Sequence, residues 1–375
     1  MIKTGLDGVV AATTRLSHVD GERGELVVGG FPIAELAAHA SFEETTWLLW
    51  HGDLPTAPQL QAFRGELAAR RTLTPSAMAL LRECAGTAVD PMDALRIAAG
   101  TISMTSNDAR TIVAQCPTIV ATYWRLRRGE PPVDPRNDLG HAANFLYMLT
   151  GTVPAPEQTR ALETYLNTVI DHGLNASTFT CRVIASTGSD LVSAIVGAIG
   201  ALKGPLHGGA PGPALDMVFA IGEAGRAEAI LRHKIEAGEK LMVFGHRVYR
   251  VRDPRADVLA AAAERLYTRA GDMSLYTLAR SVEAAAIRLL DEYKPGRRLQ
   301  TNVEFYTALL LHGLGFEAAL FTPTFAVSRV SGWIAHAFEQ QRANRIIRPQ
   351  SEYTGPRDRS WISIEQRVER PSSFS

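Results

Sequence analysis

The stretch Ser41–Trp50, SFEETTWLLW, carries the pattern on which the fold reading turns. Ser41 followed three residues later by Glu44 is a capping box. The hydroxyl and the carboxylate each take up a backbone N–H left without a partner at a helix start. Trp47, Leu48 and Trp50 then fall inside the helix this start predicts. The same grammar recurs outward along the chain. Thr74-Pro75 and Asp90-Pro91 each place a capping oxygen before a proline at the first helical position. Leu60, Phe63 and Leu67 keep helical spacing, as do Leu162, Tyr165, Leu166 and Val169 within 156–172. Long helices are predicted over 109–128, 189–202, 253–269, 274–293 and 323–343. Pro117 lies inside the first of these and is expected to kink or break it.

Strand signals are scarce. Arg15–Val19 and Glu25–Val28 flank a Gly/Asp-rich turn and predict a small hairpin. Strands and helices do not alternate, which disfavours a doubly wound sheet or a barrel, and no solenoid-type repeat is present. The Gly/Pro-rich stretch Lys203–Pro213, KGPLHGGAPGP, is the main interruption and reads as either a linker or a site loop.

The chain has 375 residues, 46% hydrophobic and 21% charged, which excludes a disordered chain and supplies a large core. Lys+Arg and Asp+Glu both number 39, so a bulk polycation for nucleic acid is not expected, although a local basic site stays open. Cys84, Cys116 and Cys181 are widely spaced and form no CxxC pair, which supports neither a disulfide framework nor a zinc ribbon. The beginning, MIKTGLDGVV, lacks the build of a signal peptide. Apolar runs such as VLAAAA at Val258–Ala263 fall far short of the roughly 20 residues that span a bilayer. The expectation is a soluble cytoplasmic protein with no membrane and no nucleic-acid partner. GxGxxG after a strand, Walker A, GxSxG and HExxH are all absent.

Three of the ten histidines lie among glycines or small residues: His172 in DHGLNAST, His207 in GPLHGGAP and His246 in FGHRVYRVRDPR. Nearby glycines let a backbone and a ligand approach closely. Taken alone, His207 also reads as an ordinary loop histidine, and the third segment as a solvated basic helix start. That segment adds Arg247, Arg250, Arg252 and Arg255, whose guanidinium forks match carboxylates and phosphates. Glu304 in TNVEFYTALLLHGLG, Arg329 in AVSRVSGW and Arg348 in RIIRPQSE follow. An acid among apolar residues, with histidines and arginines, suits general acid–base work on a small polycarboxylate. The residues alone lead no further.

GLDGVV, SFEETTWLLWHGDLP, HAANFLYMLTG, DHGLNASTFT, LKGPLHGGA, GHRVYRVRDPRA, NVEFYTALL and SRVSGWIAHAFEQ occur in this order. In this the sequence resembles the citrate synthase family, in its short bacterial type, over nearly the whole chain. The family joins acetyl-CoA to oxaloacetate and hydrolyses the thioester. The resemblance implies that His207 donates to the thioester carbonyl as it becomes an enol, and that Glu304 stands where the family has the base that removes the methyl proton. It implies that His246 polarises the ketone of oxaloacetate, and that His172, Arg255 and Arg329 bind that substrate. By the same likeness Arg348 reaches the partner subunit's site and Arg250 falls where a CoA phosphate is contacted. No metal and no further cofactor is implied.

The implied fold is all-α, with a large domain of residues 1–213 plus 324–375 and a smaller inserted domain, 214–323, that closes over the cleft. A homodimer is implied. Two other readings stand beside acetyl-CoA condensation: 2-methylcitrate synthase acting on propionyl-CoA, and a non-catalytic dimer that senses CoA or dicarboxylate. The chain departs from the family pattern in three places. Glu304 replaces an aspartate and extends the carboxylate by roughly 1 Å. Pro211 follows HGGA where asparagine is usual, and Thr307-Ala308 replaces a small Ser-Gly pair. These changes mark a divergent paralogue.

Overall fold

The computed structural model describes residues 4–6, 8–104, 108–208, 211–241, 243–245 and 248–367. Near its start, β1 (Ser17–Asp20) and β2 (Glu25–Val28) pair antiparallel, with Ser17 opposite Val28. A two-residue β3 (Phe31–Pro32) adds to β2. The predicted hairpin is present, and its first strand begins two residues later than its sequence signal.

All other regular structure among the described residues is helical. The first helices are α1 (Ile33–His39), α2 (Phe42–His51), α3 (Ala57–Ala68), α4 (Pro75–Gly86) and α5 (Pro91–Ala99). Then come α6 (Ala109–Arg127), α7 (His141–Thr150), α8 (Pro156–Val169), α9 (Ala176–Ser186), α10 (Leu191–Lys203) and α11 (Pro211–Ile221). The last are α12 (Ala227–Glu236), α13 (Pro254–Ala270), α14 (Ser274–Tyr293), α15 (Val303–Gly313) and α16 (Phe321–Arg342). Short 3₁₀ turns fill several connections.

The sequence signals act as local chemistry requires. Ser41 N donates to Glu44 Oε2 at 2.8 Å and Glu44 N donates to Ser41 Oγ at 3.3 Å, closing the capping box of α2. Thr74 accepts from Ala77 N and Asp90 from Met92 N, with proline next in both starts. Pro211 stands at the first position of α11, where its missing N–H is one that the helix leaves unpaired anyway. Pro117 does not break α6, which runs through it as one helix. Every residue from Thr111 to Tyr123 is buried, against α4, α5, α7 and α16 among others. That packing outweighs a local cost of about 3 kcal/mol.

The helix α16 forms the axis of the molecule. It packs against α2, α6, α8, α9 and α10, and Val327, Val330, Trp333 and Ile334 are completely buried. A Cβ on Gly332 would lie 2.3 Å from the carbonyl oxygen of Ile170, so only glycine lets α16 press against the loop after α8. The helix α8 in turn packs on α1, α7 and α13, and α13 packs on α15. These contacts bring the end of α8 and the starts of α9, α13 and α15 to one face of α16. Among the described residues no single helix is long and apolar enough to cross a membrane.

Candidate active site

Arg329 reaches this convergence from α16. Its Nε donates to the Val169 carbonyl at 2.7 Å, and its guanidinium carbon stands 4.6 Å from the centre of the Phe325 ring. Among the described residues no carboxylate lies within ion-pair distance of this buried cation. Burial pushes its pKa down to about 10, against the attraction of Asp171. A buried guanidinium in this condition is a ready counter-ion for an anionic ligand.

Arg255, in the first turn of α13, faces Asp253. Its Nε and Nη2 donate to the two carboxylate oxygens at 3.0 and 2.8 Å. Asp253 also caps α13 through Arg255 N and accepts from Val303 N at 3.3 Å, so one carboxylate ties the starts of α13 and α15 together. The Arg255 guanidinium lies 5.8 Å from the Tyr249 ring centre. The Tyr249 hydroxyl is 3.0 Å from His172 Nε2, and the two rings meet edge to face. A chain of contacts therefore runs from α13 through Tyr249 to the loop after α8.

Glu304 occupies the first turn of α15, and its backbone N–H is taken by the capping Asn302 at 3.0 Å. Its side chain keeps partial exposure, yet crowding by the protein raises its pKa from 4.5 to about 7. Arg255 and Arg329 pull the value down and Asp253 pushes it up, and burial outweighs them. The result is a carboxylate with far more affinity for a proton than one in water.

His207 is half-buried in the turn after α10, closed by His207 N to Gly204 O at 2.9 Å. Its Nε2 lies 2.8 Å from Ser177 Oγ and 3.4 Å from the Ser177 N–H. A backbone N–H can only donate, so Nε2 accepts and the proton of the neutral ring belongs on Nδ1. Burial and the nearby Arg329 hold its pKa down at about 4. At neutral pH this is an uncharged imidazole with one N–H to give.

His172, His207, Glu304, Arg255 and Arg329 are thus assembled around the α16 face, from positions far apart in the sequence. Arg250 is exposed, with its N–H on Gly21 O at 2.8 Å. Together with Arg252, Arg288 and Arg298 it lines a cavity of about 340 Å³, and a second hollow of about 110 Å³ connects Arg250 and Arg298 with Tyr249. This arginine-rich entrance suits a polyanion. Arg348 does not join the group in the single chain: it is exposed in the segment after α16, next to Ile347, whose N–H donates to Ser186 Oγ at 3.0 Å. His246 and Arg247 lie outside the described residues. Among the described residues no cluster of His, Cys, Asp and Glu is arranged to hold a metal.

Sequence reading passed over Asp253, Tyr249, Ser177, Trp333 and His336, which surround the predicted residues. Part of this was legible by helical spacing. Trp333 and His336 follow Arg329 at i+4 and i+7, on the same face of α16.

A family model described as "Citrate synthase, C-terminal domain" matches residues 5–350. The citrate synthase of Haloferax volcanii is 41% identical over 382 residues, covering 98% of this chain and 99% of the relative. The 2-methylcitrate synthase of Mycobacterium tuberculosis is 40% identical over 371 residues, covering 96% and 92%. Among solved structures, the ternary complex of carboxymethyl coenzyme A and oxaloacetate with the citrate synthase of Thermoplasma acidophilum superposes with a TM-score of 0.88. It is 29% identical and the match covers 98% of this chain and 100% of that one.

Proposed function

The chain belongs to the citrate synthase family, and from that premise we propose how its residues divide the condensation of acetyl-CoA with oxaloacetate and the hydrolysis that yields citrate and CoA. The observation that carries the assignment is the pairing of Glu304, a carboxyl held at about 7, with His207, an imidazole kept neutral at about 4. Glu304 feels two buried arginines, Arg255 and Arg329, and His207 feels the second of them. Glu304 takes a proton from the acyl methyl group. The Nδ1–H of His207 donates to the thioester oxygen as it gains enolate character, and so lowers a barrier that a free carboxylate could not surmount. The enol carbon attacks the ketone carbon of oxaloacetate, whose oxygen is polarised by His246. Water then cleaves the thioester and CoA leaves as the thiol.

His172, Arg255 and Arg329 hold oxaloacetate. The two cations answer its carboxylates and fix the face presented to the enol, which supplies orientation. Arg250 and the arginine-rich entrance take the CoA phosphates. Arg348 of the partner subunit completes the site in a homodimer, which accords with its exposure in one chain. Residues 214–323 act as the smaller domain and close on a large domain of 1–213 plus 324–375, shielding the enol from water. The proposed reaction uses no metal and no cofactor beyond the acyl-CoA substrate, and the protein works in the cytoplasm.

Propionyl-CoA is the second acyl donor to consider, because the relative named 2-methylcitrate synthase is 40% identical and the one named citrate synthase 41%. One methylene in an apolar pocket is worth only about 1–3 kcal/mol, so such activities overlap. These relatives are named as enzymes, and a binding-only role draws no support from them. Thiol release is measured with oxaloacetate and each acyl-CoA in parallel. Release from either one that depends on oxaloacetate is expected. No turnover with both, in folded protein that binds oxaloacetate, would overturn the assignment.

A further inference from the structure

The residue before His172 is held more firmly than any role given so far requires. Asp171 is completely buried and its carboxylate is gripped from two sides. The hydroxyl of Ser17, on the N-terminal hairpin, donates to Oδ2, and His336 Nε2 lies 3.1 Å from Oδ1. Ser17 Oγ also accepts from Gly173 N at 2.8 Å. His172 is therefore bracketed by two neighbours that are both tied down.

His336 is completely buried on α16, two turns beyond Arg329. Its Nδ1 is 3.2 Å from Arg182 Nη1. A guanidinium donates and never accepts, so Nδ1 is the acceptor and the ring proton sits on Nε2, donated to Asp171. Arg182, buried on α9, is fixed in turn by Glu339 Oε2 at 2.8 Å and Gln340 Oε1 at 3.2 Å. The other oxygen of Glu339 accepts from Arg15 N at 2.7 Å, beside the hairpin again. Gln340 Nε2 reaches the Arg345 carbonyl at 3.2 Å, in the segment that leads to Arg348. One buried network therefore anchors the loop of His172 and the base of the Arg348 segment.

We infer that His336, backed by Arg182, is a positioning residue for oxaloacetate capture. It holds Asp171, the residue before His172, while Ser17 holds Gly173 on the other side, and it acts through that histidine without touching the substrate. The inference rests on the reading of His172 as an oxaloacetate ligand. A side chain that merely filled the core would affect stability and yield, and would leave the affinity of correctly folded protein alone.

The test is steady-state thiol release with oxaloacetate varied, on His336→Leu, His336→Gln and Ser17→Ala. Glutamine can accept from Arg182 through its oxygen and donate to Asp171 through its nitrogen, so it restores both bonds. For His336→Leu, KM for oxaloacetate is expected to rise about 10-fold or more with kcat within about 3-fold, the scale of a lost hydrogen bond to a charged group. His336→Gln should stay within about 3-fold of wild type in both parameters. Ser17→Ala removes the second grip on Asp171 from the rim of the fold. It should raise KM several-fold, and it decides the matter if the leucine variant does not fold. An unchanged KM in Ser17→Ala and in folded His336→Leu overturns the inference, as does an equal rise in the leucine and glutamine variants. Absence of oxaloacetate-dependent release by the wild-type protein would instead overturn the proposed function.

Discussion

His207 Nε2 lies 2.8 Å from Ser177 Oγ, and that same hydroxyl receives the Trp333 indole N–H at 3.1 Å. The turn after α10 is thereby registered against both the first turn of α9 and the buried face of α16. The Ser177 backbone N–H, directed at Nε2 with its nitrogen 3.4 Å away, decides which ring nitrogen carries the proton. Ser177→Ala should leave the fold intact and let the imidazole rotate. A fall in kcat of about 10- to 100-fold is expected, with KM for oxaloacetate changed little, because misplacement of a catalytic group by about 1 Å has an effect of that size. Steady-state kinetics on the variant checks this. An unchanged kcat would remove Ser177 from the orientation of His207.

The pH profile follows from two opposite displacements. Proton abstraction needs Glu304 ionised, and burial sets its pKa at about 7. Log kcat/KM should therefore rise with pH up to about 7 and level off above it. His207, held at about 4, is neutral throughout and adds no limb. Stability runs the other way. A carboxyl raised from 4.5 to about 7 on folding favours the fold while protonated and works against it as pH rises through 7. Glu304→Gln should thus show a larger gain in Tm over wild type at pH 8 than at pH 5, while turnover nearly disappears. Equal differences at both values would mean that Glu304 is not raised.

The helices were legible because their signals are local. The capping oxygen of Ser41 and the prolines after Thr74 and Asp90 act within one turn, and the structure follows them. Pro117 does not end its helix because a local rule meets a segment whose burial over thirteen consecutive positions, Thr111 to Tyr123, is decided by distant partners. The site was legible as a set of residue types and through a family likeness. Its geometry was not, because Glu304, Arg255 and Arg329 meet only through the packing of α8, α13, α15 and α16. No pattern along the chain shows Asp253 joining two helix starts, or His336 backing the residue before His172.

Gly332 makes a separate prediction about that packing. A Cβ there would sit 2.3 Å from Ile170 O and 3.1 Å from Asp171 Oδ1. Gly332→Ala must push α16 and the loop apart, which disturbs His172 more than the distant core. KM for oxaloacetate should rise several-fold, and Tm should fall as it does for overpacked interiors, by an equivalent of about 1–3 kcal/mol. A loss of stability without any change in KM would show that the loop absorbs the shift without moving its histidine.

Arg348 can be tested by complementation. Arg348→Ala and His246→Ala are each expected to be nearly inactive. If Arg348 serves the partner subunit, a mixed dimer holds one site with both residues intact and one with neither. Activity should then reappear on mixing, toward a quarter of the wild-type level if subunits exchange at random. Exchange demonstrated by mass, with no return of activity, would confine Arg348 to its own chain or remove it from the site.

The family's aspartate invites a last substitution, Glu304→Asp. The side chain would shorten by one methylene, roughly 1 Å, and the direction of the rate change reports where the backbone stands. If α15 began where an aspartate base requires, the longer acid would now be crowding its substrate, and aspartate would raise the rate. If the helix start has moved back to suit glutamate, aspartate would fall short of the methyl group and lower it. We expect the second outcome. The start of α15 is fixed by Asn302, which caps Glu304 N at 3.0 Å, and by Asp253, which accepts from Val303 N at 3.3 Å. Both bonds are made by the backbone, so a shorter acid cannot draw the helix after it. A fall of about 10- to 100-fold in kcat is therefore expected, with KM for oxaloacetate nearly constant. Exchange of solvent deuterium into the acyl methyl group, followed by NMR, should fall in parallel. Undiminished exchange alongside a reduced kcat would place the defect after proton abstraction and overturn the expected shortfall, whereas undiminished exchange in Glu304→Gln would take the base role away from Glu304.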